Sequence, residues 1–418
     1  MSALIVYLNA ERVGRLEEAE GGELQFSYDR LWLEKPGALP LSRSLPLQGT
    51  VFTGKKAGAF FAGLLPEEEP RRQVAKILGI SRTNDFAMLA GIGGECAGAV
   101  SLLPEGGPPA GATSGRRRKL TEPELRRIVE ELPRRPLMAG TGGLRLSLAG
   151  AQNKLPVIVH NHGIHLPLGG TPSTHILKPE PDRFPGLAAN EMFCMTLARA
   201  VGLNVPDMVF RPIGERPCVL VQRYDRETDE KGFTIRIHQE DFCQALGFPP
   251  ERKYQAEGGP GLSDCVSLLR DWSTAPVLDI PAFIDVLIFN VLIGNADAHG
   301  KNFSLIYSGK ERRLSPFYDL VSTLVWPELS RTPAMKIGGG NSINAFSIGE
   351  WKKMARQSGL GWPMIRERIF GKSRTVLDKL DFVKTRTGEC GEETVERLGS
   401  LVGCRSSRML EAVSRQES

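Results

Sequence analysis

Residues 294–320 read GNADAHGKNFSLIYSGKERRLSPFYDL, directly after a largely apolar run, Ala282 to Ile293, interrupted by Asp285 and Asn290. This junction constrains the chain more than any other segment. The apolar run has to be buried as a helix. Gly294 has to release it into a polar loop carrying Asp297 and Asn302, and Asp319 follows after a short return. An Asp, four residues, an Asn and a later Asp is the order that phosphoryl transfer to a hydroxyl requires. The first Asp accepts the proton of the attacking hydroxyl, and the Asn and the second Asp hold magnesium against the nucleotide phosphates. Magnesium favours oxygen ligands and keeps several waters, so one or two carboxylates and an amide suffice. Asp and Asn also punctuate ordinary loops, where their side chains cap turns. The ordered set, with the Gly-rich and Lys segments upstream, argues for chemistry.

A chain of 418 residues has room for two or three compact units. A formal net charge of +5 is too small at this length to point to nucleic acid by bulk charge, but it suits an anionic ligand such as ATP. The seven cysteines, at 96, 194, 218, 243, 265, 390 and 404, show no metal-ligand spacing. They read as reduced thiols of a cytosolic protein. The short apolar run before Asn9 lacks a basic leader and a cleavage-like site, so it is not a signal peptide. The run ending at Ile293 reads as too short to cross a bilayer. The expectation is a cytoplasmic protein with no membrane role.

Residues 1–104 alternate strand-like pieces, helical spacing over 55–79, and a helix, Gly turn and strand over 86–103. Residues 105–115, EGGPPAGATSG, read as a linker. Thr121 caps a helix with Pro123 and an acid in its first turn. Strands follow at 155–160, within 164–179 and within 205–223, with a helix at 188–202 between them. Beyond 238, helices are expected at 239–246, 263–272, 281–294, 349–358, 363–371, 375–384 and 393–414. Pro281 stands at the first turn of the helix feeding Gly294. The order predicts an α+β chain of kinase-like plan, with a strand-rich N-terminal portion and a helical C-terminal lobe. The expected divisions are 1–135, a mixed N-terminal subdomain; 136–226, a small lobe with a Gly-rich loop; and 227–418, the helical lobe.

Other segments supply the rest of a nucleotide site. In residues 142–154, GGLRLSLAGAQNK, Gly150 and its small neighbours let backbone N–H groups approach phosphates, and Lys154 adds charge. The segment fits neither the Walker nor the GxGxxG pattern, and Gly-rich turns also make plain hairpins. Lys178 ends the strand piece THILKP, where a kinase places the lysine that reaches the phosphates. Glu191, early on the next helix, is its natural partner. Strand 219–226, VLVQRYDR, stands where backbone amides would meet an adenine, though Arg223, Asp225 and Arg226 could instead form a surface turn. His299 reads as packing the loop, since Asp297 already supplies a base. No HExxH spacing, Cys–His pair or GxSxG elbow argues for hydrolase chemistry.

SLAGAQNK (147–154), THILKPE (174–180), NEMFCMTLARAVGLNVP (190–206), RYDR (223–226), HQEDFCQALG (238–247), KYQAEGGPG (253–261), IGNADAHGKNFSL (293–305) and LSPFYDLVS (314–322) together resemble the HipA family. These are serine/threonine kinases that serve as toxins of bacterial type II toxin–antitoxin systems. YLNAERVGRL, LSRSLPLQ, FFAGLLPE and GAVSLLPE resemble the family's N-terminal subdomain, so the likeness spans nearly the whole chain. Residues 331–348 stand apart from it. The resemblance implies Asp297 as base, with Asn302 and Asp319 on Mg2+. It implies that ATP is held by Ala149, Gly150, Ala151, Gln152, Asn153 and Lys154, by Lys178, and by a hinge of Gln222, Arg223 and Tyr224. His299 and Lys301 belong to the same nucleotide site. Gln222 stands where the family would have Glu, a small departure because hinge contacts are largely backbone. Ser147 matches the serine that members autophosphorylate to switch themselves off. The implied partners are a translation-related protein substrate, such as an aminoacyl-tRNA synthetase, and a small helix-turn-helix antitoxin (HipB-like) through which any DNA contact is indirect. A small-molecule kinase, or an inactive kinase-fold co-repressor, is the alternative. SxAGAQxK and the N-terminal subdomain argue against the first, and the intact Asp297, Asn302, Asp319 and Lys178 against the second.

Overall fold

The computed structural model describes residues 3–106, 115–230, 232–344 and 347–415. Most of the stretch read as a linker at 105–115 therefore lies outside the described residues. The chain forms two compact units: Met1–Pro179 with Arg211–Pro250 and Ile306–Glu311, and Glu180–Phe210 with Glu251–Leu305 and Arg312–Ser418.

The first unit is built on antiparallel sheet. Strands Phe52–Thr53, Leu24–Tyr28, Glu11–Glu18, Ala3–Leu8 and Val100–Pro104 lie side by side in that order. Gly14 sits opposite Tyr28 because a Cβ there would come 2.3 Å from the Ser27 carbonyl oxygen. Helices Lys55–Ala62, Glu68–Leu78 and Asp85–Ile92 accompany this sheet. A second run of strands follows the order Cys218–Gln222, His175–Pro179, Leu155–His160, Gly163–Pro167 and Arg117–Lys119. One hydrophobic core, including Phe26, Phe60, Phe61, Leu146, Leu155, Leu177 and Leu220, serves both sheets. Helix Glu122–Glu131 starts as expected, with a capping box between Thr121 and Glu124.

The second unit is helical, with Leu187–Ala200, Leu262–Trp272, Pro276–Ile293, Ile348–Gln357, Trp362–Thr387 and Glu392–Ser414. Three sequence expectations change. The apolar helix begins at Pro276, and Pro281 lies inside it. Pro276 takes the first-turn place where a missing N–H is harmless. At 18 residues this helix is long and apolar enough to cross a membrane, but it is mostly buried, as a core helix is. The separate helices expected at 363–371 and 375–384 are one helix, Trp362–Thr387. Its buried stripe of Ile365, Ile369, Val376, Leu380 and Val383 keeps helical spacing across exposed Gly371, whose intrinsic cost of about 1 kcal/mol does not outweigh that burial. Residues His238–Asp241 are a strand, and the helix there is only Phe242–Leu246, capped by Asp241. The α+β plan itself, strand-rich first and helical later, is as expected.

Candidate phosphoryl-transfer residues

In the helical unit, Gly294 ends helix Pro276–Ile293 in the left-handed region, φ 74°. Its carbonyl oxygen accepts from the Thr323 N–H at 3.1 Å and the Thr323 hydroxyl at 3.2 Å, and that hydroxyl oxygen in turn accepts from the Ala296 N–H at 3.0 Å. The Asp297 N–H donates to Asn295 Oδ1 at 3.0 Å, and Asn295 Nδ2 donates to Asn290 Oδ1 at 2.9 Å. The backbone carrying Asp297 is thus fixed by two buried amides, while Asp297 itself is exposed. Asn302 Oδ1 accepts from the His299 N–H at 3.2 Å, and the Asn302 N–H donates to the His299 carbonyl oxygen at 2.9 Å. An amide oxygen has two lone pairs, so this bond is compatible with a metal contact.

Asp319 adopts φ 53°, a left-handed conformation uncommon outside glycine that persists where surroundings over-determine it. The surroundings are on both sides. Tyr318 Oη donates to the Lys301 carbonyl oxygen at 2.8 Å and lies 2.7 Å from Ser304 Oγ, tying the residue before Asp319 to the Asp297–Asn302 loop. Three residues after Asp319, the Ser322 backbone is gripped twice by Asn190: Oδ1 accepts from its N–H at 2.8 Å, and Nδ2 donates to its carbonyl oxygen at 2.9 Å. The structure therefore brings Asp297, Asn302 and Asp319 into one hydrogen-bonded framework. His299 is buried with its ring edge-on to Tyr254, and Lys301 is buried. The donor set of one amide and one carboxylate oxygen, in a backbone held rigid, fits magnesium.

In the sheet unit, the Gly-rich loop is seated rather than loose. Ser147 is fully buried; its N–H donates to the Glu95 carbonyl oxygen at 2.8 Å and its Oγ to the Leu64 carbonyl oxygen at 2.7 Å. The Glu67 N–H donates to the Gly150 carbonyl oxygen at 3.1 Å. Gly150 has φ 110°, a conformation that glycine adopts without strain and L side chains rarely adopt. Lys154 closes the loop by donating to the Ala149 carbonyl oxygen at 2.8 Å. Gln152 Nε2 donates to the Pro179 carbonyl oxygen at 3.3 Å, bringing the loop to the end of strand His175–Pro179 that carries Lys178. Lys178 is buried and pairs in register with Val219 on strand Cys218–Gln222, which runs out to Gln222, Arg223 and Tyr224. The loop, Lys178 and residues 222–224 thus share one region of sheet. Glu191, the partner expected for Lys178, is buried in the helical unit.

Arg223, Asp225 and Arg226 do not form a surface turn, the alternative left open by the sequence. They are buried in an ion cluster with Glu95. Arg223 forks onto Asp225 at 2.9 and 2.8 Å, and Arg226 Nη2 lies 3.2 Å from Glu95 Oε1. Ser173 gives that same Glu95 oxygen two bonds of 2.7 Å, from its N–H and its hydroxyl. The Arg223 guanidinium is thus committed inward, and its N–H donates to the Thr174 carbonyl oxygen at 2.9 Å.

The sequence reading missed the bracing residues Asn190, Asn295, Tyr318 and Thr323, and Glu95 of the cluster. Ordinary Asn, Tyr, Thr and Glu carry no pattern of their own. Ala334, in a stretch to which nothing was assigned, also braces the loop, since its N–H donates to the Ala296 carbonyl oxygen at 2.8 Å.

A family model described as the HipA-like C-terminal domain matches residues 146–379, and one described as the HipA N-terminal domain matches residues 4–103. The chain is 46% identical over 369 residues to Y4mE of Sinorhizobium fredii, a protein named as a kinase, with 88% of each chain covered. It is 32% identical over 372 residues to the serine/threonine-protein kinase toxin HipA of Shewanella oneidensis, covering 86% of this chain and 84% of that one. It is similar in structure to a chain from the complex of HipA, HipB and operator DNA of the Shewanella oneidensis MR-1 toxin–antitoxin system, with TM-score 0.87, 27% identity, and 99% of this chain and 98% of that chain covered.

Proposed function

The chain belongs to the HipA family of serine/threonine protein kinases, and from that premise we propose that it is an ATP-dependent toxin kinase acting on a translation-related protein, such as an aminoacyl-tRNA synthetase. Asp297 takes the proton of the acceptor hydroxyl. Asn302 and Asp319 would hold Mg2+, which neutralises phosphate charge when bound. Lys178 and the 149–154 loop hold the phosphates, the 222–224 backbone meets the adenine, and His299 and Lys301 complete the loop around the base. The observation that carries this reading is the framework in which Asn295 holds the Asp297 backbone, Tyr318 holds Lys301 beside Asn302, and Asn190 holds Ser322, three residues after Asp319. A backbone held at these points is what a reaction relying on positioning and electrostatics needs.

Ser147 is proposed as the autophosphorylated off-switch. Its hydroxyl faces a carbonyl oxygen in a closed seat, so phosphorylation requires the loop to leave that seat. A small helix-turn-helix antitoxin is proposed as partner, in line with the HipB of the structural neighbour, with DNA reached only through it.

The test is phosphoryl transfer by Asp297→Asn and Asp319→Asn. Each should fall by about three orders of magnitude or more, roughly 4 kcal/mol of transition-state stabilisation. Asn tolerates the left-handed conformation of position 319, so the fold should persist. Near wild-type transfer by either variant would refute the assignment.

A further inference from the structure

Segment 253–261, KYQAEGGPG, has no role in the chemistry assigned so far. The structure places it on the base. Tyr254 Oη donates to Asp297 Oδ1 at 2.9 Å. The phenol ring stands edge-on to His299, centroids 5.3 Å apart, and Lys253 Nζ lies 5.3 Å from the same ring centroid. The loop behind it is built to hold this pose. The Gly259 N–H donates to the Tyr254 carbonyl oxygen at 2.9 Å, and a Cβ at 259 would lie 2.1 Å from the Arg252 carbonyl oxygen, so only glycine closes the turn. The Gln255 N–H donates to the Ala334 carbonyl oxygen at 3.0 Å, and Gln255 Oε1 accepts from the Lys336 N–H at 2.7 Å. Ala334 in turn donates to Ala296, the residue before Asp297. Tyr254 is therefore referenced to the backbone that carries the carboxylate it touches.

We propose that Tyr254 is a positioning residue for Asp297, an inference that rests on the reading of Asp297 as base. A phenol bound to Oδ1 fixes the rotation of the carboxylate and presents Oδ2 to the acceptor. It also favours the ionised carboxylate, because the bond is made to the charged form. In the transfer step the acceptor oxygen bonds to the γ-phosphorus as the bond from that phosphorus to the β,γ-bridging oxygen breaks. ADP leaves with that electron pair, and the acceptor proton passes to Asp297. Tyr254 keeps its own proton throughout.

The experiment uses the full chain with Mg-ATP and myelin basic protein as phosphoacceptor probe, reading rate between pH 5 and 9 for wild type, Tyr254→Phe, Gly259→Ala and Asp297→Asn. For Tyr254→Phe we expect kcat to fall about 5- to 50-fold with KM for ATP within about twofold of wild type. The acidic limb of the kcat profile should move up by about 0.5–1 pH unit. Gly259→Ala, which keeps the phenol but spoils its seat, should move the limb the same way. Wild-type kcat with an unmoved acidic limb in Tyr254→Phe overturns the proposal, as does a faster Tyr254→Phe, which would make the phenol a restraint on the base. If Asp297→Asn itself retains wild-type rate, the base assignment falls and the positioning role with it. If only Tyr254→Phe is normal, the base stands and the positioning role alone is lost.

Discussion

Glu95→Gln should destabilise the sheet unit far more than its one lost charge suggests. The Glu95 carboxylate is 2% exposed and faces Arg226 at 3.2 Å and Arg223 at 3.5 Å, with Asp225 the other acid of the cluster. Three buried arginines, Arg223, Arg226 and Arg236, already outnumber these two acids, so the Gln variant deepens an uncompensated positive charge in the interior. Burial by itself pushes the Glu95 carboxyl up, but Arg236, Arg226 and Arg223 together pull it below the ordinary carboxylate range. Glu95 Oε2 has no hydrogen-bond partner among the described residues, so an amide nitrogen there replaces no existing bond. Oε1 remains to accept from Ser173, so shape is kept and charge is the variable. Breaking a buried pair by removing one partner costs about 3–5 kcal/mol, a large part of the roughly 5–15 kcal/mol that holds a domain. At about 2–4 °C per kcal/mol for a unit of this size, the unfolding midpoint should drop by roughly 6–20 °C in calorimetry at pH 7. A depressed carboxylate stabilises above its unfolded value of about 4.5 and loses that contribution as pH falls toward its folded value. The gap between wild type and Glu95→Gln should therefore narrow below about pH 4.5. The cluster anchors the strand end carrying the proposed 222–224 hinge, so KM for ATP should rise as well. A midpoint within 2 °C of wild type, or a gap that does not close in acid, would refute the reasoning.

Mass spectrometry after incubation with Mg-ATP should find phosphate on Ser147 in wild type and none in Asp297→Asn. The modified protein should bind ATP more weakly, because about −1.5 to −2 charges cannot occupy a seat facing a carbonyl oxygen. Unmodified Ser147 in an active preparation would end that reading. Lys178→Ala should lower kcat/KM for ATP by about 10- to 150-fold, the equivalent of one charge-assisted phosphate contact of roughly 1.5–3 kcal/mol, and unchanged turnover would remove Lys178 from the site. Glu240, buried against Ser42, Tyr307 and the Arg43 N–H, is pushed up to about 7 by burial. The folded protein holds that proton longer than the unfolded chain, so stability should decline as pH rises from about 4.5 to 7, by about 3 kcal/mol at most. Glu240→Gln should flatten that decline in urea titrations, and an identical pH slope in both proteins would exclude it.

Local signals in the sequence were enough for the α+β order, the capped helix at Thr121, and the assignment of Asp297, Asn302, Asp319, Lys178 and Gly150 to candidate roles. Each rests on neighbours a few residues away: a glycine that must turn, a capping box, an apolar run that must end. Helix limits failed where packing outweighed local preference. A gap is expected between helices 363–371 and 375–384, yet the stripe from Ile365 to Val383 is buried along one helix, and Pro281 reads as a start although Pro276 takes that place. What only tertiary structure decided is how those residues are held. The sequence left open whether Arg223, Asp225 and Arg226 form a surface turn, and Glu95, more than a hundred residues earlier, compensates their burial. Asn190 has no signature until its amide meets the backbone of Ser322, and Tyr254 has none until its hydroxyl meets Asp297. Buried charges and polar groups need partners, but nothing local to them says which residue the folded chain will bring. The residue types a site needs are therefore written along the chain, while the contacts that fix its geometry exist only once distant segments are packed together.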